Sequence, residues 1–75
     1  SFDSLLGMLR CWHALGDWER LGNVAAEVWN DLPPMMQNAI VPLAASAAWS
    51  EGNWDRMRQY VDRIAESTAE GSVFR

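Results

Sequence analysis

The sequence predicts an all-α fold: a stretch of α-solenoid made of two antiparallel helix pairs plus the start of a fifth helix. Three observations lead there. A turn motif recurs at an offset of 36 residues, apolar residues flank both copies at helical spacing, and a Pro pair divides the halves. The repeat aligns Ala14-Leu15-Gly16-Asp17-Trp18-Glu19-Arg20-Leu21 with Ser50-Glu51-Gly52-Asn53-Trp54-Asp55-Arg56-Met57. Gly, Trp and Arg are identical in the two copies, while Asp17/Asn53, Glu19/Asp55 and Leu21/Met57 are chemical equivalents. Such self-similarity is the signature of stacked supersecondary units.

Helix one is expected over about 4–15, where Leu5, Met8, Leu9 and Trp12 form one stripe. Gly16 ends it, because glycine enters the left-handed conformation without a Cβ penalty. Asp17 then caps the next helix, and Glu19 in its first turn suits the positive end of the helix dipole. Helix two, about 18–30, carries Trp18, Leu21, Ala25 and Val28 on one face. Pro33 and Pro34 prevent its continuation. Helix three, about 35–51, shows Ile40, Leu43, Ala44, Ala47 and Ala48 on a stripe. Pro42 either bends this helix or opens its main part after a separate turn; a single kinked helix is the preferred reading. Gly52 and Asn53 repeat the stop and the cap. Helix four, about 54–66, carries Trp54, Met57, Val61 and Ile64, matching helix two position for position.

Repeat one therefore spans about 4–32 and repeat two about 35–66. Ser67-Thr68-Ala69-Glu70 fits a capping box, and Val73 and Phe74 begin an apolar stripe, so residues 67–75 are expected to start a fifth helix. Residues 1–75 are expected to be one fragment of a longer helical array, whose end faces neighbouring repeats would cover.

Composition narrows the function. The chain is 49% apolar and 21% charged, which suits a folded segment and not a disordered one. At 75 residues it is too short for a complete kinase, dehydrogenase or hydrolase. The net charge of −4 speaks against nucleic-acid binding, which needs a basic face. The longest apolar run, Ala39 to Ala45, is far short of the ~20 residues that span a bilayer. Ser1-Phe2-Asp3 lacks the features of a secretory leader, and the single Cys11 fits a reducing compartment; a cytoplasmic location is expected.

Gly16-Asp17-Trp18-Glu19, with Pro33 following at a distance of seventeen residues from Gly16, resembles a tetratricopeptide (TPR) repeat. The 36-residue period is longer than the TPR period of about 34, and Leu21 and Met57 replace a small residue, so the pattern is TPR-like. A wider resemblance covers nearly the whole chain. Met8-Leu9-Arg10-Cys11-Trp12-His13-Ala14-Leu15-Gly16-Asp17-Trp18 is similar to the FAT domain of the TOR (target of rapamycin) protein kinases. So are Pro42-Leu43-Ala44-Ala45-Ser46-Ala47-Ala48-Trp49, Gly52-Asn53-Trp54-Asp55-Arg56-Met57 with Tyr60, and Glu70-Gly71-Ser72-Val73-Phe74-Arg75. Residues 30–40 depart from the family.

The resemblance implies a scaffold segment within a large Ser/Thr protein kinase related to the phosphatidylinositol 3-kinases, which controls growth in response to nutrients. It implies a TPR-like and HEAT-like solenoid clamped around the kinase domain, and complexes containing Raptor or Rictor. It also implies a parent chain peripheral at a lysosomal or vacuolar membrane, with no insertion of its own. The alternative is a stand-alone TPR-like interaction module. Such modules that grip C-terminal carboxylates use Lys-rich concave faces, and all six cations here are Arg.

No catalytic, cofactor-binding or metal-binding residues are expected. A Gly-rich phosphate loop, a phosphate-binding Lys and a catalytic loop are all missing from the sequence. Cys11 and His13 are two residues apart, point in different directions on a helix, and lack further ligands to complete a site. The five Trp are read as packing residues, since base stacking normally accompanies a basic groove. The residues singled out are the repeat motif Gly16, Asp17, Trp18, Gly52, Asn53 and Trp54, with Trp29 and Trp49 as candidate packing or partner contacts.

Overall fold

A computed structural model describes the backbone of residues 1–73 and the side chains of residues 1–67. Four helices follow one another: α1 (Phe2–Leu15), α2 (Trp18–Trp29), α3 (Pro34–Glu51) and α4 (Trp54–Val73). There is no strand among the described residues.

Helix α1 begins two residues before the sequence expectation. Ser1 accepts a bond from the Ser4 amide through its side chain and from the Leu5 amide through its carbonyl, so capping occurs at the first residue. At the other end Gly16 is left-handed, at φ 72°, and its amide bonds the His13 carbonyl while the Asp17 amide bonds that of Trp12. These two bonds satisfy carbonyls that the end of a helix would otherwise leave open. The α3–α4 turn repeats the device: Gly52 lies at φ 66°, and the Gly52 and Asn53 amides bond the carbonyls of Trp49 and Ala48.

Helix α2 ends without such a glycine. Instead Gln37, in the first turn of α3, donates from Nε2 to the Trp29 carbonyl at 2.8 Å. Pro33 and Pro34 then set the entry to α3, where Pro34 occupies the first turn and costs no helical hydrogen bond. Helix α3 is continuous through Pro42, consistent with the single-helix reading. Ser46 Oγ donates to the Pro42 carbonyl one turn back at 2.9 Å.

The fifth helix does not begin where the capping box suggests. Helix α4 runs unbroken to Val73, so residues 67–73 belong to it; Phe74 and Arg75 lie outside the described residues. A capping box opens a helix only where the preceding backbone leaves helical geometry, and no Gly or Pro between Trp54 and Ser67 makes it do so. The Ser67 hydroxyl instead accepts a bond from Asn38 Nδ2 at 3.1 Å, tying α4 to α3.

The core lies around α3. Ile40, Val41, Ala44, Ala47 and Ala48 of that helix are buried, together with Leu9 of α1, Leu21, Ala25 and Trp29 of α2 and Tyr60 of α4. A helix apolar around most of its circumference belongs between neighbours, and α3 packs against each of the other three. Its alanines allow close approach: a Cβ built on Gly22 of α2 would stand 3.5 Å from the Ala47 Cβ.

Candidate functional site

The repeat motif shapes two superposable corners. Asp17 Oδ1 accepts from the Arg20 amide at 3.4 Å, and Asn53 Oδ1 accepts from the Arg56 amide at 3.2 Å. Asp17 also lies 3.6 Å from Arg20 Nε, in an exposed pair whose energetic worth is well under ~1 kcal/mol. The cap geometry is therefore what the two copies share.

The aromatic residues beside each turn repeat as well. Trp18 meets His13 edge-on with ring centroids 5.4 Å apart, and Trp54 meets Trp49 edge-on at 5.5 Å. His13 and Trp49 are themselves 36 positions apart, an equivalence the turn alignment does not reach. In repeat one the guanidinium of Arg20 also stands over the Trp12 ring, 5.9 Å from its centroid. Edge-to-face contact is the favoured geometry for such rings, so each turn is braced on its outer side.

Trp29 and Trp49 occupy opposite environments. Trp29 is buried and meets the ring of Tyr60 edge-on at 4.9 Å, joining repeat one to repeat two inside the chain. Trp49 is 65% exposed and Trp54 60% exposed. They belong to a surface that continues along α4 through Val61 and Ile64, 47% and 48% exposed. Two shallow grooves meet this surface. One is lined by Trp18, Ala45, Ser46, Trp49, Ser50 and Met57, the other by Trp54, Asp55, Met57, Arg58, Val61 and Asp62.

Sequence reasoning did not single out Tyr60 as a core residue, nor Gly22. Tyr60 is fully buried, and its hydroxyl has no hydrogen-bond partner among the described residues. Burial pushes its phenol above the ordinary value of 10.0, with nearby Arg56 pulling in the opposite direction. Gly22 stood out only as an isolated glycine inside a helical pattern, and so did Gly7, where an added Cβ would meet nothing within 4 Å. Cys11 is exposed, and no group of three or more potential metal ligands occurs among the described residues. No described helix is long and apolar enough to cross a membrane. The arrangement presents packing surfaces, two repeated corners and one exposed apolar stripe.

Known proteins are similar to this chain in sequence. The chain is 42% identical over 73 residues to the Serine/threonine-protein kinase mTor of Drosophila melanogaster, covering 97% of this chain and 3% of that protein. The chain corresponds to a segment of the TOR protein kinases. It is also 42% identical over 62 residues to Serine/threonine-protein kinase TOR of Arabidopsis thaliana, covering 83% of this chain and 2% of the relative. The match to Serine/threonine-protein kinase tor1 of Schizosaccharomyces pombe is 38% over 74 residues, or 99% of this chain and 3% of the relative. No protein-family model matches this TOR segment, and no solved structure matches it. The segment thus spans only a few per cent of the kinases it resembles, and its residues are aligned with theirs nearly end to end.

Proposed function

We propose that this TOR segment is part of a FAT-type helical scaffold, which supports the kinase domain and the assembly of a TOR complex without contributing catalytic groups. The observation that supports the proposal is the similarity to TOR kinases, 42% and 38% identity along nearly the whole of this chain, in a chain whose two helical turns share one hydrogen-bond pattern. Catalysis of Ser/Thr phosphorylation belongs to another part of the parent protein. The segment's own work is mechanical: α3 locks α1, α2 and α4 into one unit, and the exposed α4 stripe gives that unit something to pack against. Raptor- or Rictor-type subunits are the partners this reading assigns to the parent, in a cytoplasmic setting peripheral to a lysosomal or vacuolar membrane.

The direct test is the flanking coding sequence together with a loss-of-packing variant. A kinase domain with an Asp-Phe-Gly motif should follow downstream in the same reading frame. In that full-length protein Ala47→Glu, which places a carboxylate in the α2–α3 contact, should reduce recovery of complex subunits and kinase activity together. An unburied control, Asn23→Glu, should leave both unchanged. Absence of a downstream kinase domain would defeat the reading.

A further inference from the structure

The two corners of the segment share their caps but not their braces. At the first, Arg20 of α2 reaches back across the turn. It lies 3.6 Å from Asp17, and its guanidinium stands over the Trp12 ring of α1, 5.9 Å from the centroid. The ion pair is weak, but the ring contact links the two helices. The 36-residue equivalents of Trp12, Asp17 and Arg20 are Ala48, Asn53 and Arg56. Ala48 has no ring and Asn53 has no charge, so Arg56 has neither contact to make at the second corner.

The helix beyond that corner is also held differently. The core cluster takes Leu21, Ala25 and Trp29 from α2 but Tyr60 alone from α4 among the described residues. Two buried side-chain oxygens have no hydrogen-bond partner among those residues, Asn38 Oδ1 and the Tyr60 hydroxyl, and they belong to α3 and α4. Helices α1 and α2 bury no such atom among the described residues. Turning the Asn38 amide over would exchange Oδ1 for an unmet Nδ2. A cleft of about 180 Å³ enters the seam between Asn38, Val41 and Pro42 of α3 and Ile64 and Ser67 of α4. The 3.1 Å bond from Asn38 to Ser67 spans the seam but is only part-buried, so water can replace it. An unmet polar group bears its desolvation cost while the seam is closed and regains water when the seam parts, so both oxygens favour opening.

We propose that the α3–α4 seam is a joint: α4 parts from α3 as a unit, turning about the Gly52–Asn53 corner, while α1, α2 and α3 stay packed. What opens is the inner side of α4, with Tyr60 and the Asn38–Ser67 tie. The joint follows from this segment's own residues and does not depend on the scaffold role. In a helical array it puts compliance at one defined place, so a force or a bound partner that changes curvature acts on the second corner before the first.

Hydrogen exchange followed by mass spectrometry, on the full-length polypeptide that carries this segment, tests the joint. Peptides within 54–67 should exchange about tenfold faster than those within 18–29, while 34–51 stays as protected as 18–29. Tyr60→Phe and Asn38→Leu each remove an unmet oxygen. Each should slow exchange within 54–67 several-fold and leave 18–29 unchanged. Should a variant fail to fold, the comparison of α4 with α2 in the parent chain decides by itself. Equal protection of the two helices there, faster exchange of α2 than of α4, or folded variants that slow both helices or neither would each overturn the proposal.

Discussion

Asp17 and Asn53 perform one task with two chemistries, which separates the cap from the charge. Both side-chain oxygens accept from the amide three residues on, but only Asp17 can pair with an Arg through a charge. The exposed pair contributes little, whereas an N-cap is worth about 1 kcal/mol. Asp17→Asn should therefore be close to neutral and Asp17→Ala should cost about 1 kcal/mol in urea unfolding; equal losses in the two variants would show that the ion pair matters. Tyr60 gives the other prediction at this scale. Its buried phenol ionises above 10.0, so the unfolded chain loses its proton first as pH rises. This contribution to stability is complete below pH 10 and is lost as pH climbs through the raised folded value. Tyr60→Phe should flatten the alkaline decline in a pH series of urea midpoints. At neutral pH it should be neutral or stabilising by up to about 1 kcal/mol, since the hydroxyl it removes is buried without a partner among the described residues.

At the scale of the helices, the decisive contact is the approach of α2 to α3 at Gly22. An added Cβ would meet the Ala47 Cβ at an ordinary 3.5 Å and the mobile end of the exposed Glu51 side chain at 3.1 Å. Glu51 can swing away, while Ala restores about 1 kcal/mol of helix propensity relative to Gly. Gly22→Ala should consequently hold or raise the thermal midpoint. Gly22→Leu, which must displace the α3 backbone side of the contact, should lower stability by about 1–3 kcal/mol. Helix α3 explains why this matters: its buried residues share one core cluster with Leu21 of α2 and Tyr60 of α4. The helix ends were largely legible in the sequence, because Gly16, Gly52 and Pro33-Pro34 act locally. The end of α4 was not: Ser67 carries a capping signature, yet its hydroxyl bonds Asn38 of α3, a residue 29 positions away. Local signals lose where a tertiary partner takes the same group.

For the whole molecule, the exposed stripe on α4 makes a prediction about context. Val61 is half exposed, so Val61→Gln should leave the melting of the 75-residue segment within about 0.5 kcal/mol of the parent sequence. If a neighbouring element covers the stripe in the full-length protein, the same change should lower resistance to limited proteolysis around α4 there. Equal behaviour in both contexts would mean that nothing covers the stripe. A segment of this size hides only about 60% of its unfolded surface, so cover from neighbours in a longer chain would add to its stability.

The sequence by itself determined the helical class and the two Gly–Asx corners, because turns, caps and 3.6-residue periodicity are local properties of the chain. It could not rank the tryptophans. Trp18 and Trp54 are identical in motif and spacing, yet one is half-buried under α3 and the other stands open. Only the tertiary structure decided that, together with the burial of Tyr60 and the use of Ser67 as a tie. Burial depends on which helix lies opposite, and that partner is set by packing across the chain.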